Sequence, residues 1–390
     1  MADMVRAAVQ TGPRQIELRE FPRPQTGPDD GLLRVEANGI CGSDVETYRG
    51  HLGGPRPAFI PGHEPLGIVA EVGERAAQRW GVQPGDRVAL EVIVPCRSCQ
   101  DCLTGRYQFC RNRRYGHGVT GIDTEPALWG GLAEYLYLSP NTVLHRVDDS
   151  LPVELAAMFN SLGAGVRWAC HLGGVRLGDT VLVLGAGQRG LAAVVAARAA
   201  GAGTVIITGL AADEHKLAVA REFGADHTLV VDGENAVDTV QRVEEITNGE
   251  MADVTLELTP LAAAPVSDAL QATRRGGRVV LAGLKGNREI PLRTDLIINR
   301  ALTIRGAFGV DAEGMADAIA LIESRRFPLE KMHTHTFGLD QAALAIETLG
   351  GEVPGESAIQ VSVHPAAGGS GPSGSGVSPG RTVPPRANTP

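Results

Sequence analysis

One stretch constrains this chain more than any other. The apolar run Val181-Leu182-Val183-Leu184 leads directly into Gly185-Ala186-Gly187-Gln188-Arg189-Gly190, and a helical pattern of small residues follows over Leu191–Ala200. A GxGxxG string alone is weak, but a strand before it and a helix after it give it physical meaning. Gly185 permits the tight turn, Gly187 lets the backbone approach a pyrophosphate, and Gly190 lets helix and strand pack closely. The helix then offers unpaired N–H groups to phosphate charge. The alternation continues downstream. Strands are expected at Thr204–Thr208, His227–Val231, Asp253–Leu258 and Arg278–Gly283, and helices at Asp213–Phe223, Ala236–Thr247 and Leu261–Thr273. This spacing specifies a parallel, doubly wound α/β sheet. The expected ligand is a nicotinamide dinucleotide, met by Gly185, Gly187, Gln188, Arg189 and Gly190.

The choice between NAD and NADP stays open. An NAD-selective site normally ends its second strand with an acidic residue that binds the ribose 2′-OH. Here that strand runs into Gly209-Leu210-Ala211-Ala212, and Asp213 comes late, beside Glu214, His215 and Lys216. A missing acid removes repulsion against a 2′-phosphate, which Lys216 or His215 would attract. Equally, a longer loop could bring Asp213 to the ribose.

The remainder reads differently. Before residue 151 short β-type runs (Val5–Gln10, Gln15–Arg19, Leu32–Ala37, Gly67–Val72, Arg87–Val94, Leu132–Leu138) are punctuated by Gly/Pro clusters, an antiparallel, barrel-like pattern. After Arg300 a strand is expected at Leu302–Phe308, helices near Ala312–Ser324 and Asp340–Thr348, and a strand at Ala358–His364, all rejoining the first domain. Residues 366–390, rich in Gly, Ser, Pro and Ala, read as a disordered tail. A length of 390 residues suits two domains. With 36 Lys+Arg against 45 Asp+Glu the net charge is −9, which argues against a nucleic-acid partner. No apolar run approaches the roughly 18 residues of a membrane helix. The first residues lack a signal-peptide pattern, so a cytoplasmic location is expected.

Four of the six cysteines fall within fifteen residues: Cys96, Cys99, Cys102 and Cys110, as C-x2-C-x2-C-x7-C. Disulfides between cysteines three apart would be strained. Four thiolates on one loop instead close a tetrahedral shell around Zn²⁺, and a closed shell holds shape without doing chemistry. Pro95 and Gly105 suit a tight lobe rather than a helix.

Two further motifs are Cys41-Gly42-Ser43-Asp44-Val45-Glu46 and Gly62-His63-Glu64-Pro65. With them the chain resembles the zinc-dependent medium-chain dehydrogenase/reductase superfamily, in its alcohol and polyol dehydrogenase branch. The two motifs, the cysteine lobe and the glycine turn come in the family order over about residues 1–365. The resemblance implies a GroES-like catalytic domain (1–158 and 301–365), a Rossmann domain (159–300), an active site between them, and assembly as a homodimer or homotetramer. It implies Cys41 and His63 as catalytic zinc ligands and Glu64 as a nearby acid able to move onto the metal. Ser43 is implied as the hydroxyl bonded to the substrate oxygen, and Asp44 as the carboxylate that orients His63. Zinc held by thiolate and imidazole with an open position is a Lewis acid suited to alcohol–carbonyl interconversion by hydride transfer.

Two positions depart from the family. The usual third ligand (Cys, Asp or Glu) is Asn160, a weaker neutral donor. Glu64, Asn160 or a water would complete the site, or the catalytic metal is lost. Glu46 stands where a proton-relaying histidine is common; it could relay as a carboxylate, with His51 nearby. The leading expectation is an NAD(P)-dependent alcohol or polyol dehydrogenase with one structural and one catalytic zinc, acting on a small alcohol or carbonyl compound. A zinc-free reductase of an activated alkene or carbonyl, and a non-catalytic dinucleotide-binding protein, are the alternatives. Substrate-shaping loops are expected at Tyr48–Phe59 and Arg114–Trp129, and Trp168 and Arg167 are expected to serve packing and surface.

Overall fold

The computed structural model describes residues 3–54 and 56–366; the tail expected at 366–390 lies, past its first residue, outside the described residues. Two sheets organise the chain. The first has six strands in the spatial order His227–Val230, Thr204–Gly209, Thr180–Leu184, Ala252–Glu257, Thr273–Leu281, Thr303–Gly306. Every pairing in it is parallel. Its strands are apolar runs because helices cover both faces: Val181, Leu182 and Val183 are fully buried. The chain order reverses at Thr180–Leu184, which has the second strand on one side and the fourth on the other. A crevice opens at the carboxyl end of such a strand, and the glycine turn sits there.

The helix Gln188–Ala199 buries Gly190 through Ala197, so it is apolar on all sides. Its small residues let the helix Phe159–Val166 come close. A Cβ on Gly165 would stand 2.5 Å from the Ala192 backbone. The helix Thr239–Ile246 starts where the Asp238 side chain accepts from Gln241 N at 2.8 Å.

The second sheet has seven strands, in the order His333–Gly338, Gln360–His364, Gly31–Ile40, Pro65–Val72, Arg87–Leu90, Leu144–Arg146, with Tyr135–Leu138 also paired to Gly31–Ile40. Pairing is antiparallel except between the first two strands. The last ordered strand of the chain thus lies beside Gly31–Ile40, whose end carries Cys41. The expectation that everything after residue 300 rejoins this first unit needs correction. Thr303–Gly306 pairs in parallel with Thr273–Leu281 and extends the dinucleotide-side sheet instead. It follows a helix that returns the chain along that sheet, and the next parallel edge is the nearest place to satisfy its backbone groups.

Candidate active site

Strand Gly31–Ile40 ends at Cys41, whose extended backbone starts the short helix Gly42–Tyr48. Asp44, in the first turn, accepts from Cys41 N at 2.9 Å through Oδ2. Its other oxygen, Oδ1, lies 3.0 Å from His63 Nδ1. One buried carboxylate therefore sets both the thiol and the imidazole. With Nδ1 donating to Asp44, Nε2 of the neutral ring is left free to hold a metal ion. Ser43 Oγ is 3.3 Å from that Nε2.

Glu64 follows His63 directly and is fully buried. Its Oε1 accepts from Asn160 Nδ2 at 2.6 Å, while Oε2 has no hydrogen-bond partner. Room for this carboxylate depends on Gly39, where a Cβ would stand 2.4 Å from Glu64 Oε2. One donor atom each from Cys41, His63 and Glu64 lie within 4.8 Å of one another. Burial raises the Glu64 pKa, against the pull of His63 and Arg189. Burial also opposes charge on His63, yet Asp44 and Cys41 raise its pKa well above the ordinary histidine value. A buried thiol, imidazole and carboxylate, one carboxylate oxygen having no hydrogen-bond partner, form a donor set that burial alone does not stabilise. The residues present fit a divalent metal with thiolate, imidazole and carboxylate ligands.

Cys96, Cys99, Cys102 and Cys110 form the second such cluster. The sulfur separations are 3.9 Å (Cys96–Cys102), 3.5 Å (Cys99–Cys102) and 3.9 Å (Cys99–Cys110). A tetrahedron with Zn–S bonds of about 2.3 Å has sulfur–sulfur edges of about 3.8 Å. The hydroxyl and N–H of Ser98 pull the Cys96 thiol down to about 5. Burial and neighbouring thiols push Cys102 up to about 12. The lobe is anchored to the rest of the molecule by Glu91, which accepts from Tyr107 Oη at 2.6 Å and contacts His145 Nε2 at 2.8 Å.

The glycine turn and Cys41 line one cleft of about 410 Å³. Gly185 has φ +109°, and a Cβ on Gly190 would stand 2.0 Å from Gly185 O. A Cβ on Gly187 would meet nothing within 4 Å, so that backbone is open to a ligand. Gln188 is committed elsewhere: its Nε2 donates to Ile40 O at 3.3 Å and its Oε1 accepts from Ser161 at 3.4 Å. It pins the turn to the strand that carries Cys41. Arg189 reaches across the cleft, where Nη2 donates to Cys41 Sγ at 3.0 Å and the guanidinium lies 5.2 Å from the Trp168 ring. Gly209 ends its strand without a carboxylate. Asp213 is bound to Lys216 Nζ at 2.8 Å and to Leu210 N at 3.1 Å, and Lys216 lines the cleft.

Residues 27–149 match the Alcohol dehydrogenase GroES-like domain family, and residues 190–324 match the Zinc-binding dehydrogenase family. A protein named "Probable alcohol dehydrogenase adh" from Mycobacterium tuberculosis (strain ATCC 25618 / H37Rv) is 43% identical over 360 residues, covering 90% of this chain and 96% of its own. The sorbitol dehydrogenase of Bacillus subtilis (strain 168) is 33% identical over 346 residues, covering 88% and 93%. The chain belongs to the zinc-dependent medium-chain dehydrogenase/reductase superfamily. Among solved structures of this superfamily, the alcohol dehydrogenase of Thermotoga maritima superposes with a TM-score of 0.82 at 26% identity, covering 93% of this chain and 99% of that one. A Sinorhizobium meliloti 1021 chain solved bound to NADP gives 0.80 at 28% identity, covering 93% and 100%.

Of the sequence-derived candidates, Cys41, Ser43, Glu46, Gly185, Gly187, Gln188, Arg189, Gly190 and Lys216 line one cleft, while Asp44, His63 and Glu64 do not line it but cluster next to Cys41. Three contributions were not legible in the sequence: Asn160 as the donor to Glu64, Gly39 as the space for it, and Gln188 as a cross-cleft pin. Only a register and a close approach reveal them. Trp168, expected to be packing, is buried yet forms a wall of the cleft. The loop Arg114–Trp129 does not line it. Trp129 is buried there, with its ring 4.9 Å from Tyr115 and 5.3 Å from Tyr137. Leu261, Leu284 and Leu349 shape the cleft instead.

Proposed function

We propose that this chain is a zinc-dependent, NAD(P)-linked oxidoreductase that interconverts a primary or secondary alcohol, or a polyol, and the corresponding aldehyde or ketone. The carrying observation is the Cys41–His63–Glu64 cluster, with its orphaned buried Glu64 oxygen, facing an open glycine turn across one cleft. Cys41, His63 and Glu64 would hold the catalytic zinc, Asn160 would orient Glu64 rather than take a ligand place, and the four-cysteine lobe would hold a second, structural zinc. The ion supplies Lewis acidity toward the substrate oxygen, and the dinucleotide supplies or takes the hydride.

The protein's own groups do the rest. Asp44 fixes the His63 tautomer. Ser43 Oγ is placed to exchange a proton with the substrate oxygen. Glu46 bonds His51 Nδ1 at 3.0 Å, and the imidazole of His51 is 62% exposed, so the pair offers a route from the cleft to solvent. Leu52, Leu261 and Leu284 make part of the cleft lining apolar. Gly187 and the first N–H groups of the helix after it receive the pyrophosphate. The six unpaired cysteines support a reducing, cytoplasmic setting.

Metal analysis and absorbance assays test this reading. Purified protein should contain two zinc ions per chain and form NAD(P)H with some member of an alcohol and polyol panel. His63→Ala should lose one zinc and turnover while still binding dinucleotide. Full turnover in zinc-stripped protein would favour the zinc-free reductase. Dinucleotide binding without turnover on any alcohol or carbonyl would favour the non-catalytic reading.

A further inference from the structure

We propose that Arg189 selects the oxidation state of the bound dinucleotide, favouring the reduced form; this rests on the dinucleotide and metal reading given above. Arg189 is the second residue of the helix that opens at the glycine turn. Its side chain does not run out to solvent. It crosses the cleft to Cys41 Sγ at 3.0 Å and lies against Trp168, while its Nε is buried without a partner. Among the described residues no carboxylate forms an ion pair with it. A guanidinium stays charged throughout the working pH range. The cleft wall beside the candidate metal ligands therefore carries a fixed positive charge whose close partner is the Cys41 sulfur rather than a carboxylate.

Hydride moves only over a short distance, with reacting atoms about 3–3.5 Å apart. The substrate oxygen belongs at Cys41, His63 and Glu64, and the pyrophosphate belongs at the turn. A nicotinamide joining the two must enter the space that Arg189 borders. The oxidised ring carries a positive charge and the reduced ring does not, while the rest of the dinucleotide is the same. Like charges several ångströms apart in a partly wet cleft are worth about tenfold in affinity. That factor falls on the oxidised form alone. In a mixed pool it loads the site with hydride donor, and so with the reactant for carbonyl reduction.

The test is a set of calorimetric titrations of zinc-loaded protein. The ligands are the oxidised and reduced forms of whichever of NAD or NADP binds more tightly, and the matching ADP-ribose fragment, which lacks the ring. Arg189→Gln should lower the ratio of oxidised to reduced Kd about tenfold and leave the fragment's Kd within about twofold. Arg189→Met should do the same, and Arg189→Lys should keep the wild-type ratio. Melting curves confirm that each variant is folded, and the two neutral variants stand in for each other if one is not. An unchanged ratio in the neutral variants overturns the proposal. So does a fragment whose Kd rises about tenfold in the neutral variants, because Arg189 would then be reading phosphate. Wild-type protein that binds none of the three ligands removes the dinucleotide reading itself, and this proposal with it.

Discussion

Asp44→Asn is the sharpest single perturbation of the proposed metal centre, because one side chain holds two ligands. In the native site Oδ2 accepts from Cys41 N at 2.9 Å and Oδ1 pairs with His63 Nδ1 at 3.0 Å. Both neighbours need an acceptor, and an amide has only one. If the new amide oxygen keeps Cys41 N, its NH2 faces His63 Nδ1. The imidazole must then turn Nδ1 into an acceptor and protonate Nε2, the atom that would hold the ion. If the amide is flipped, the Cys41 backbone is left facing a donor and the thiol loses its position. Asp44 is only 7% exposed, so water does not repair either arrangement. Substitutions of this kind typically cost 10–100-fold in metal affinity, or about 1.4–2.7 kcal/mol. Chelator competition should show one zinc per chain weakened by that factor and the other, in the cysteine lobe, unchanged. Turnover should fall with it. Two zinc ions of wild-type affinity in a folded Asp44→Asn protein would refute the claim that Asp44 orients His63 as a ligand.

Other outcomes are expected from the same structure. Cys99→Ser should release the lobe zinc and lower the melting temperature by roughly several degrees; unchanged metal content and melting would remove the structural-zinc assignment. Lys216→Ala should weaken NADP binding about tenfold more than NAD binding, and equal effects in calorimetry would show that Lys216 does not read a 2′-phosphate. His117 is fully buried beside Thr142 Oγ1, and burial lowers its pKa to about 4. A histidine whose folded pKa lies below its ordinary 6.5 contributes stability that is complete above pH 6.5 and is lost as pH falls toward 4. At pH 5 the loss is about 2 kcal/mol for this one group. Urea midpoints at pH 7.5 and pH 5 should therefore differ less for His117→Gln than for wild type; an equal difference would exclude His117 as the source.

The parts of this protein written in local pattern were readable. A strand, three glycines and a small-residue helix name a phosphate turn, because each glycine answers a steric need within six residues. Four cysteines in fifteen residues imply a closed metal shell, because the loop itself brings them together. The motif Cys41-Gly42-Ser43-Asp44 reads similarly: Asp44 meets the Cys41 backbone within one helical turn. The parallel sheet was legible from alternation, but its last strand was not. Nothing in Thr303–Gly306 says which of two sheet edges is free to receive it.

The sequence by itself determined the chemistry available: a dinucleotide turn, a sulfur lobe, and a thiol, imidazole and carboxylate within twenty-four residues. Only the tertiary structure decided how they are used. Residues 96 and 125 positions away from Glu64 help settle its surroundings, since Asn160 donates to it and Arg189 adds to the pull of His63 on its charge. The physical reason is that a carboxylate's role depends on who shares its burial. In a pocket closed by two domains, those neighbours come from strands and helices that no local pattern relates.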